Sequence, residues 1–583
     1  MEYKLYNEPS YELSPLRQIL FNRGIPVEEH EHWLNAGWDD INDWSLLGKQ
    51  DMQDACSLVY KHIKDSIVII VDPDTDGFMS SAILVNYLND IAGKNEIKSN
   101  IHYVMHTGKQ HGMSDIMDDI LECKPSLVIS ADGGSNDIEQ HKRFHYKGID
   151  CLVLDHHEVS IDIKESPALI INVQTCGYPN KSLTGGGVVW QFCRAFDNLF
   201  GYDFANEYID LAAIANIGDM ADYRKIETRA LVNCGLENIK NKFVKAMIEK
   251  NSYSIDKMNG VNYYSLAFYL VPYLNGLCRS GTMFEKKMVF SSLLNEYKDM
   301  EVESTKRGAF DTLVPLVEEA ILVADRVKRR QTKLQDEAME LLDKKIEDEN
   351  LLNNAILLLL LEPGDIEPEL AGLVANKEQS KYQKPCAILT RTMEDGEEAY
   401  IGSMRNYSLS EKQNLKKELE DTGQISWCAG HNSAAGLSIP AKNIDSFLEA
   451  FNSQYANVKQ TPIYWVDYSW KPNTIDPKSI LDISDLNIYG QGIQESYIAI
   501  DELCIKPQTV TLMSPDKHPT LKISLPNGVS IIKFKSSQEE YEKFCEDGLV
   551  LKCVCKCAKN EWDGKVTPQL LVQDYELYEN WVF

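Results

Sequence analysis

Short apolar runs alternate with helix-forming segments between residues 66 and 157. The runs read SIVIIV (66–71), SLVISA (126–131) and CLVLD (151–155), and helix-forming segments follow the first run and separate the second from the third. This alternation is typical of a parallel sheet covered by helices. Residues 12–63, in contrast, place apolar side chains at helical spacing, which predicts a small helical cap before the sheet.

The rest of the chain divides by the same kind of pattern. Between Pro315 and Glu349 there is neither glycine nor proline, and apolar residues recur at intervals of three and four, which predicts one long helix. Residues 350–458 return to strand and helix alternation, and the segments after 460 predict the strands of a small antiparallel barrel. The predicted domains are a helical cap (1–62), a parallel-sheet domain (63–240), a helical region with the long connecting helix (241–349), a smaller α/β domain (350–458) and the barrel (459–583).

Length and composition place the chain among multidomain globular proteins. Its 583 residues exceed what one hydrophobic core usually supports. No apolar run approaches the roughly 18 residues that span a bilayer, and the N-terminus has no apolar signal region, so we expect a cytoplasmic protein with reduced cysteines. The net charge of −29, from 59 basic and 88 acidic residues, weighs against a broad nucleic-acid surface, although local basic groups or bound cations can still hold a polyanion.

Acidic residues and histidines follow each of the three predicted strands. In chain order they are Asp72, Asp74, Asp76, Asp132, Asp155, His156 and His157, and Asp219 ends the apolar helical run LAAIANIGD, which we expect to be buried. The carboxyl ends of parallel strands meet at one edge of a sheet, so these side chains should converge. Because so many carboxylates stay ionised together only when cations neutralise them, the pattern predicts a divalent-metal site for Mg²⁺ or Mn²⁺.

Taken alone, each motif has a simpler interpretation. DPDTDG (72–77) resembles the start of a calcium loop or an ordinary acidic turn, and DHH (155–157) also fits a solvated loop. Their occurrence at successive strand ends, in this order, favours the metal site. Separately, Cys553, Cys555 and Cys557 alternate along one face of a predicted strand, so a soft-metal site is an alternative there.

Together these motifs resemble the DHH phosphoesterase superfamily, which is named for the triplet at 155–157. Longer segments are similar to the RecJ single-strand-specific exonucleases over nearly the entire chain and in the same order. They include IIVDPDTDGFMSSAIL, LVISADGGSNDIEQHKRFHYKGIDCLVLDHHE, LAAIANIGDMAD, ELAGLVANKEQSKYQKPCAIL, CAGHNSAAG and IYGQGIQES. The resemblance implies an α/β fold with a parallel-sheet DHH domain, a smaller α/β DHHA1-like domain joined to it by the long helix, and a C-terminal OB-like β-barrel.

For the metal site, the resemblance implies two divalent cations, Mn²⁺ in preference or Mg²⁺. The implied metal ligands are Asp74, Asp76, Asp132, His156 and Asp219. Asp132 would bridge the two cations, and Asp72 and Asp155 would support the ligands, with direct coordination by Asp72 left open. His157 would stabilise charge on the scissile phosphate. His157, Asp155 and Asp72 are therefore the candidate catalytic residues.

The resemblance also implies residues that hold the substrate. These are Arg279, Ser403, Arg405, Gly430 and His431. Arginine and serine suit contacts to phosphate, whereas ordinary surface ion pairs are the alternative for the two arginines. The chain departs from the family pattern at Ala429, where the family's Gly-Gly-His motif has its first glycine. It also departs at His106 and His111, in a loop that usually carries an arginine and an aromatic residue.

The implied activity is 5′-to-3′ hydrolysis of single-stranded DNA to 5′ mononucleotides, in DNA repair, recombination or replication. Trp562, Tyr575 and Lys565 are candidates for tracking the strand in the barrel, and each also fits ordinary barrel structure. The alternatives are a phosphodiesterase of short oligonucleotides or cyclic dinucleotides and a replication-associated scaffold without activity. The expected partner is single-stranded DNA. The acidic tail at 573–583 also fits protein partners, for which a single-strand-binding protein or a helicase is the candidate. We expect a monomer without membrane contact.

Overall fold

The structure, a computed structural model, describes residues 1–10, 12–108, 110–309, 311–458 and 461–579, so the last four residues of the acidic tail lie outside it. These residues cluster into two compact units. The N-terminal unit comprises Ile25–Gln331 together with the short segment Asn487–Gln494. The C-terminal unit comprises the first 24 residues and the described remainder of the chain. Among the described helices, none combines the length and the apolar character that a bilayer span requires.

The predicted helical region at the start of the chain contains short helices and is preceded by a strand. Strand β1 (Glu2–Leu5) and helix α1 (Pro15–Asn22) belong to the C-terminal unit, where β1 pairs in parallel with a strand at Ile463–Val466. The N-terminal unit begins with helices α2 (His30–Leu34) and α3 (Lys49–His62).

A five-stranded sheet forms the centre of the N-terminal unit, and its neighbouring strands are all parallel. Its spatial order is β3-β2-β4-β5-β6, with strands β2 (Ile67–Val71), β3 (Ile101–Met105), β4 (Leu127–Ala131), β5 (Asp150–Asp155) and β6 (Leu169–Asn172). The three predicted strands, β2, β4 and β5, are confirmed as direct neighbours. Every residue of β2 and β4 is buried, which explains their continuous apolar sequence. The edge strands β3 and β6 are only partly buried and were not predicted.

Helices cover this sheet and extend the N-terminal unit. They are α4 (Thr75–Lys94), α5 (Met117–Glu122), α6 (Ile138–Tyr146), α7 (Gly185–Phe200), α8 (Ile209–Gly218), α9 (Ile226–Glu237), α10 (Lys242–Lys250), α11 (Ser252–Asp256), α12 (Tyr263–Tyr269), α13 (Val271–Ser280) and α14 (Met283–Ser292). A hairpin of β7 (Glu301–Glu303) and β8 (Leu313–Pro315) follows. Helix α15 (Leu316–Asp348) confirms the predicted long helix to within one residue at each end.

The C-terminal unit contains a mixed five-stranded sheet of spatial order β12-β13-β11-β10-β9. The strands are β9 (Leu357–Leu361), β10 (Cys386–Glu394), β11 (Glu397–Arg405), β12 (Trp427–His431) and β13 (Ala434–Pro440). The helices are α16 (Ala371–Tyr382), α17 (Leu415–Glu420) and α18 (Ile444–Gln454). One sheet face packs on α17 and α18, and β9 and β10 bury the other face against α16 and the end of α15.

A seven-stranded, mainly antiparallel sheet follows in the same unit, in the order β15-β16-β20-β21-β19-β18-β17. With β14, the partner of β1, the elements are β14 (Ile463–Val466), β15 (Tyr468–Trp470), α19 (Pro477–Ser484), β16 (Ile498–Cys504), β17 (Val510–Met513), β18 (Thr520–Ser524), β19 (Ser530–Phe534), α20 (Gln538–Phe544), β20 (Leu549–Trp562) and β21 (Lys565–Glu579). Cys553, Cys555 and Cys557 lie on β20, but they form no group with metal-ligand geometry among the described residues. The soft-metal alternative therefore has no support.

A buried ion pair links α1 to the start of β15 within the C-terminal unit. The Arg23 guanidinium donates to both carboxylate oxygens of Asp467, at 2.8 and 3.0 Å, and the Asn22 amide donates to the same carboxylate at 2.8 Å. Both charged side chains are at most 2% exposed. An uncompensated charge at this depth costs several kcal/mol, so the pair depends on both partners.

Replacing Asp467 by alanine should lower the unfolding free energy of the C-terminal unit by about 3–5 kcal/mol, because Arg23 would remain buried without its counter-charge. Urea denaturation followed by circular dichroism measures the change. Lys478→Ala is the control, since Lys478 pairs with Asp482 on the exposed face of α19 and should leave the midpoint unchanged. Equal midpoints for Asp467→Ala and the parent protein would contradict the prediction.

Candidate metal centre

The sheet order of the N-terminal unit brings the predicted acidic loops together. Strands β2, β4 and β5 are neighbours, so Asp72, Asp132 and Asp155 stand at adjacent carboxyl ends. Asp219 directly follows α8, whose residues up to Ile217 are buried as predicted. Its own side chain is 41% exposed, because it follows the helix end at the opening of the site.

His156 is the point at which the carboxylates of three elements meet. Its Nε2 lies 3.1 Å from Oδ1 of Asp132, 3.6 Å from Oδ2 of Asp219 and 3.8 Å from Oδ2 of Asp76. Three groups of side chains place ligand atoms within 4.8 Å of one another: Asp76, His156 and Asp219; Asp72, Asp74 and Asp132; and Asp132, His156 and His157. Oxygen donors with one or two imidazoles suit Mn²⁺ or Mg²⁺.

The DPDTDG loop is shaped by helix-terminal hydrogen bonds. Asp74 caps α4 by accepting from the Gly77 N–H at 2.9 Å, and Asp76 lies in the first turn. Asp76 in turn accepts from the N–H groups of Gly185 and Gly186, at 2.8 and 2.7 Å, at the start of α7. The positive end of that helix dipole therefore faces a buried carboxylate. A Cβ at Gly77 would come within 2.5 Å of Asp72, so the loop closes only with glycine there.

The Asp132 carboxylate forms no hydrogen bond with a described residue, although Nε2 of His156 lies 3.1 Å from its Oδ1. Both its carboxylate oxygens are buried without a hydrogen-bond partner, and the residue is 1% exposed. Its backbone has a φ of +68°, a region that costs energy outside glycine. A Cβ at Gly185 would lie 2.4 Å from the Asp132 Cβ and Oδ1. A buried carboxylate without donors is strongly unfavourable unless cations bind it, so the residues fit a divalent-metal centre.

The DHH triplet separates into one side chain facing the carboxylates and one facing outwards. Asp155 accepts from His157 Nδ1 at 2.8 Å, from the backbone N–H groups of His156 and His157 at 2.6 and 3.0 Å, and from the Ser135 N–H at 3.0 Å. Three of these bonds hold the backbone of the triplet and the His157 ring, and the fourth ties the Asp155 carboxylate to the loop after β4. The His157 side chain is 48% exposed, whereas that of His156 is 12% exposed.

Burial and crowding shift the acid–base equilibria of the site. Burial, together with the neighbouring carboxylates, raises the pKa of Asp76 to about 8 and that of Asp219 to about 7, and it raises the pKa of Asp132 well above its usual range. Burial and the adjacent His157 lower the pKa of His156 to about 4. Burial opposes protonation of His157, but its bond to Asp155 prevails and raises the pKa to about 9. The metal-free centre therefore retains protons that cations would displace.

Comparison with known proteins places this geometry in a family. Models of the DHH family N-terminal domain, the DHHA1 domain and the RecJ OB domain match residues 66–216, 353–457 and 466–574. A Bacillus subtilis (strain 168) protein of SPbeta prophage origin, named single-strand DNA-specific exonuclease YorK, is 31% identical over 99% of this chain and 98% of its own. The chain is a RecJ-like member of the DHH superfamily.

More distant relatives share the same organisation. The single-stranded-DNA-specific exonuclease RecJ of Bacillus subtilis is 23% identical, with 97% of this chain and 68% of the relative aligned. The crystal structure of RecJ from Thermus thermophilus in complex with Mn²⁺ superposes with a TM-score of 0.69 at 18% identity, covering 99% of this chain and 79% of that one. These matches confirm the predicted fold class, with DHH, DHHA1 and OB domains.

The candidate substrate residues of the RecJ-like chain lie in both units. Arg279 is on α13 and makes no ion pair with a described carboxylate. In the DHHA1 sheet, Arg405 and His431 both pair with Ala434, and Ser403 is two residues before Arg405, so these three side chains share one sheet face. Gly430 has a φ of +131°, and a Cβ there would press on the backbone of β13.

The OB-domain candidates separate into exposed and packed side chains. Trp562 is 79% exposed, and Lys565 is exposed across the same hairpin turn. Tyr575 instead packs on Phe544 and donates to Glu540, which is the ordinary structural role.

Several residues that hold the site were not predicted. Asn275 on α13 accepts from both the N–H and the hydroxyl of Thr75, at 3.0 and 2.8 Å, and thereby fixes the DPDTDG loop. Arg279 lies one turn further along the same helix face. Lys416 reaches the carbonyl of Gly430 at 3.4 Å, beside the Ala-Gly-His turn. No local pattern marks these residues, since each acts on a segment distant in sequence.

A segment from far along the chain supports the loop after Asp219. Gln491 accepts from the Tyr223 N–H at 2.9 Å, and a Cβ at Gly490 would lie 2.7 Å from the Tyr223 ring and 3.0 Å from that of Tyr263. Both tyrosines are 3% exposed, so the rings have little room to move. The segment IYGQGIQ therefore helps to position a predicted metal ligand.

Metal binding should release protons, because the carboxyls with pKa values of about 8 and 7 at Asp76 and Asp219 must ionise to bind a cation. The apparent Mn²⁺ affinity should rise with pH until both values are passed. Isothermal titration calorimetry in two buffers of different ionisation enthalpy measures the number of protons released. A pH-independent affinity with no buffer-dependent heat would contradict the prediction.

Replacing Gly490 by alanine should weaken Mn²⁺ binding about 10- to 100-fold, because the added methyl displaces Tyr223 and with it the loop that begins at Asp219. The same titration measures the affinity. Gly93→Ala is the matched control, since nothing lies within 4 Å of a Cβ at this helical glycine. Wild-type affinity in Gly490→Ala would show that the segment has no positioning role.

Proposed function

We propose that this RecJ-like chain is a metal-dependent exonuclease that degrades single-stranded DNA from the 5′ end to 5′ mononucleotides. The observation that carries the proposal is the buried carboxylate of Asp132, which forms no hydrogen bond with a described residue and belongs to two groups of the Asp and His cluster. Relatives with the same domains, YorK and RecJ, are named single-strand DNA-specific exonucleases.

Two divalent cations, Mn²⁺ in preference or Mg²⁺, would be held by this cluster. Asp74, Asp76, Asp132, His156 and Asp219 are the proposed ligands, with Asp132 shared. When bound, the cations supply an activated water and stabilise charge on the phosphate in a hydrolysis that releases the 3′ oxygen.

The protein's own residues position this reaction. Asp155 orients the His156–His157 segment through three hydrogen bonds, one of them to Nδ1 of His157, so that the Nε2 of His157 is left free for the substrate. A protonated His157 would donate to an oxygen of the scissile phosphate, where negative charge accumulates. Asp72, buried beside the Gly77 turn, would support Asp74 and Asp132. Catalysis would then rest mainly on charge stabilisation and positioning.

Basic and small polar side chains would hold the strand. Arg279 has no described carboxylate as an ion-pair partner, which favours a phosphate contact over the surface ion pair that was its alternative. Ser403, Arg405 and His431 share one face of the DHHA1 sheet, and the positive φ of Gly430 shapes the adjacent turn. In the OB domain, exposed Trp562 is suited to stacking on a base.

The competing functions make different use of the same site. A replication-associated scaffold needs no metal ligands, whereas the full donor set converges in this protein. A phosphodiesterase of short oligonucleotides or cyclic dinucleotides has no use for an OB domain, whose match covers residues 466–574. A role in DNA repair, recombination or replication, with a single-strand-binding protein or helicase as partner, agrees with long single strands as the substrate.

The proposal is tested by incubating the protein with Mn²⁺ and each of several substrates. These are single-stranded DNA labelled at the 5′ or the 3′ end, duplex DNA, RNA and dinucleotides. Single-stranded DNA should release its 5′ label first, as a mononucleotide, while the duplex stays intact. Asp132→Asn should lower the rate more than about 100-fold, because loss of a ligand costs at least as much as loss of its supporting residues. Electrophoresis and thin-layer chromatography measure both results.

Asp118→Asn is the control, since Asp118 is an exposed aspartate on α5. Activity restricted to dinucleotides would replace the proposal with the short-oligonucleotide alternative. Undiminished activity of Asp132→Asn would remove the metal centre from the mechanism.

A further inference from the structure

The loop after β3 carries a histidine that the family resemblance does not assign. His111 Nδ1 lies 2.7 Å from Oδ2 of Asp72, in the first of the acidic loops. The Asp72 side chain is 4% exposed, whereas that of His111 is 58% exposed. The ring is therefore anchored at one nitrogen on a buried carboxylate, while most of its surface faces solvent at the metal centre.

Buried contacts fix the loop on both sides of this histidine. Lys286 on α14, 1% exposed, donates to the carbonyls of His106 and Thr107 at 3.1 and 2.8 Å. Beyond His111, the Met113 N–H donates to Asp137 at 2.9 Å, and a Cβ at Gly112 would meet the same carboxylate at 2.8 Å. The buried lysine on one side and the Asp137 carboxylate on the other therefore hold the loop that carries His111 in one conformation.

His111 repeats the arrangement of His157. Each ring is bound through Nδ1 to a buried aspartate, Asp72 at 2.7 Å and Asp155 at 2.8 Å, and each is about half exposed. The two ring centroids are 6.4 Å apart. In both rings Nε2 is the nitrogen left without a described partner. Two anchored imidazoles, each with an Nε2 that has no described partner, thus lie close together beside the acidic cluster.

We propose that His111 contacts the DNA strand, donating from Nε2 to a phosphate oxygen while His157 contacts the scissile phosphate. This inference rests on the proposed nuclease function and deepens it, because it adds a substrate-binding residue in the loop where the chain departs from its family. An imidazole that donates from both nitrogens is a cation, and it suits a phosphodiester as arginine does. The alternative is that His111 only satisfies Asp72.

Two substitutions separate these roles. Asparagine can reproduce a donor at the position of Nδ1 and so keep the Asp72 contact, but it has no atom at Nε2. Glutamine places its amide nitrogen where Nε2 stands and gives up the bond to Asp72. His111→Asn, His111→Gln and the exposed-histidine control His102→Asn on β3 form the test set.

Three readouts follow for each variant: the thermal midpoint, the Mn²⁺ affinity, and the affinity for a 5′-phosphorylated oligonucleotide measured by fluorescence anisotropy with Ca²⁺ in place of Mn²⁺. His111→Asn should bind the oligonucleotide about tenfold more weakly, with the midpoint and the Mn²⁺ affinity unchanged. His111→Gln should recover part of that loss. In turnover with Mn²⁺, KM should rise more than kcat falls.

Wild-type oligonucleotide binding in His111→Asn would overturn the inference. So would weaker oligonucleotide binding that is accompanied by an equally large fall in the thermal midpoint and in the Mn²⁺ affinity. The binding measurement does not need turnover, so it decides the role of His111 even if the wild-type protein fails to degrade DNA. That failure would instead refute the proposed nuclease function.

Discussion

Mutual repulsion among buried carboxylates is the constraint on which the structure of the N-terminal unit depends. Asp72, Asp76 and Asp132 are each at most 3% exposed, and Asp74 and Asp219 lie beside them. Like charges so close together in a poorly hydrated site cost several kcal/mol unless donors or cations offset them. The fold supplies hydrogen-bond donors to three of these carboxylates: an imidazole to Asp72, and backbone N–H groups to Asp74 and Asp76. The Asp132 carboxylate forms no hydrogen bond with a described residue, and there the need for cations is greatest.

This constraint also explains the glycines around the site. The helix α7 begins against Asp76 and Asp132, and a side chain at Gly185 would occupy the space of the Asp132 carboxylate. Gly77 lets the DPDTDG loop turn back on Asp72. Because these positions are glycines, the backbone can approach the carboxylates closely and donate its N–H groups to them. Side-chain donors in the same places would fill the space for the cations.

Sequence patterns located the elements whose apolar residues follow a regular pattern: fully or almost fully buried strands and one long helix with a buried apolar face. Strands β2, β4 and β5 and the helix α15 were predicted because their apolar periodicity is continuous. The edge strand β3, with the sequence IHYVM, was missed because half of its residues face solvent. The long-range contacts of Asn275 and His111 were missed for another reason: each acts on a loop tens to hundreds of residues away, and no local period records such a contact.

The sequence by itself determined the chemical identity of the site: acidic residues and histidines at successive strand ends, in the order that resembles the DHH superfamily. It could do so because parallel strands always bring their carboxyl ends to one edge. Only the tertiary structure decided the role of each oxygen and nitrogen. The Asp132 carboxylate forms no hydrogen bond, Asp155 binds the His157 ring and the backbone of both histidines, and Asp219 is 41% exposed. These differences depend on hydrogen-bond partners supplied by distant segments, which sequence spacing does not encode.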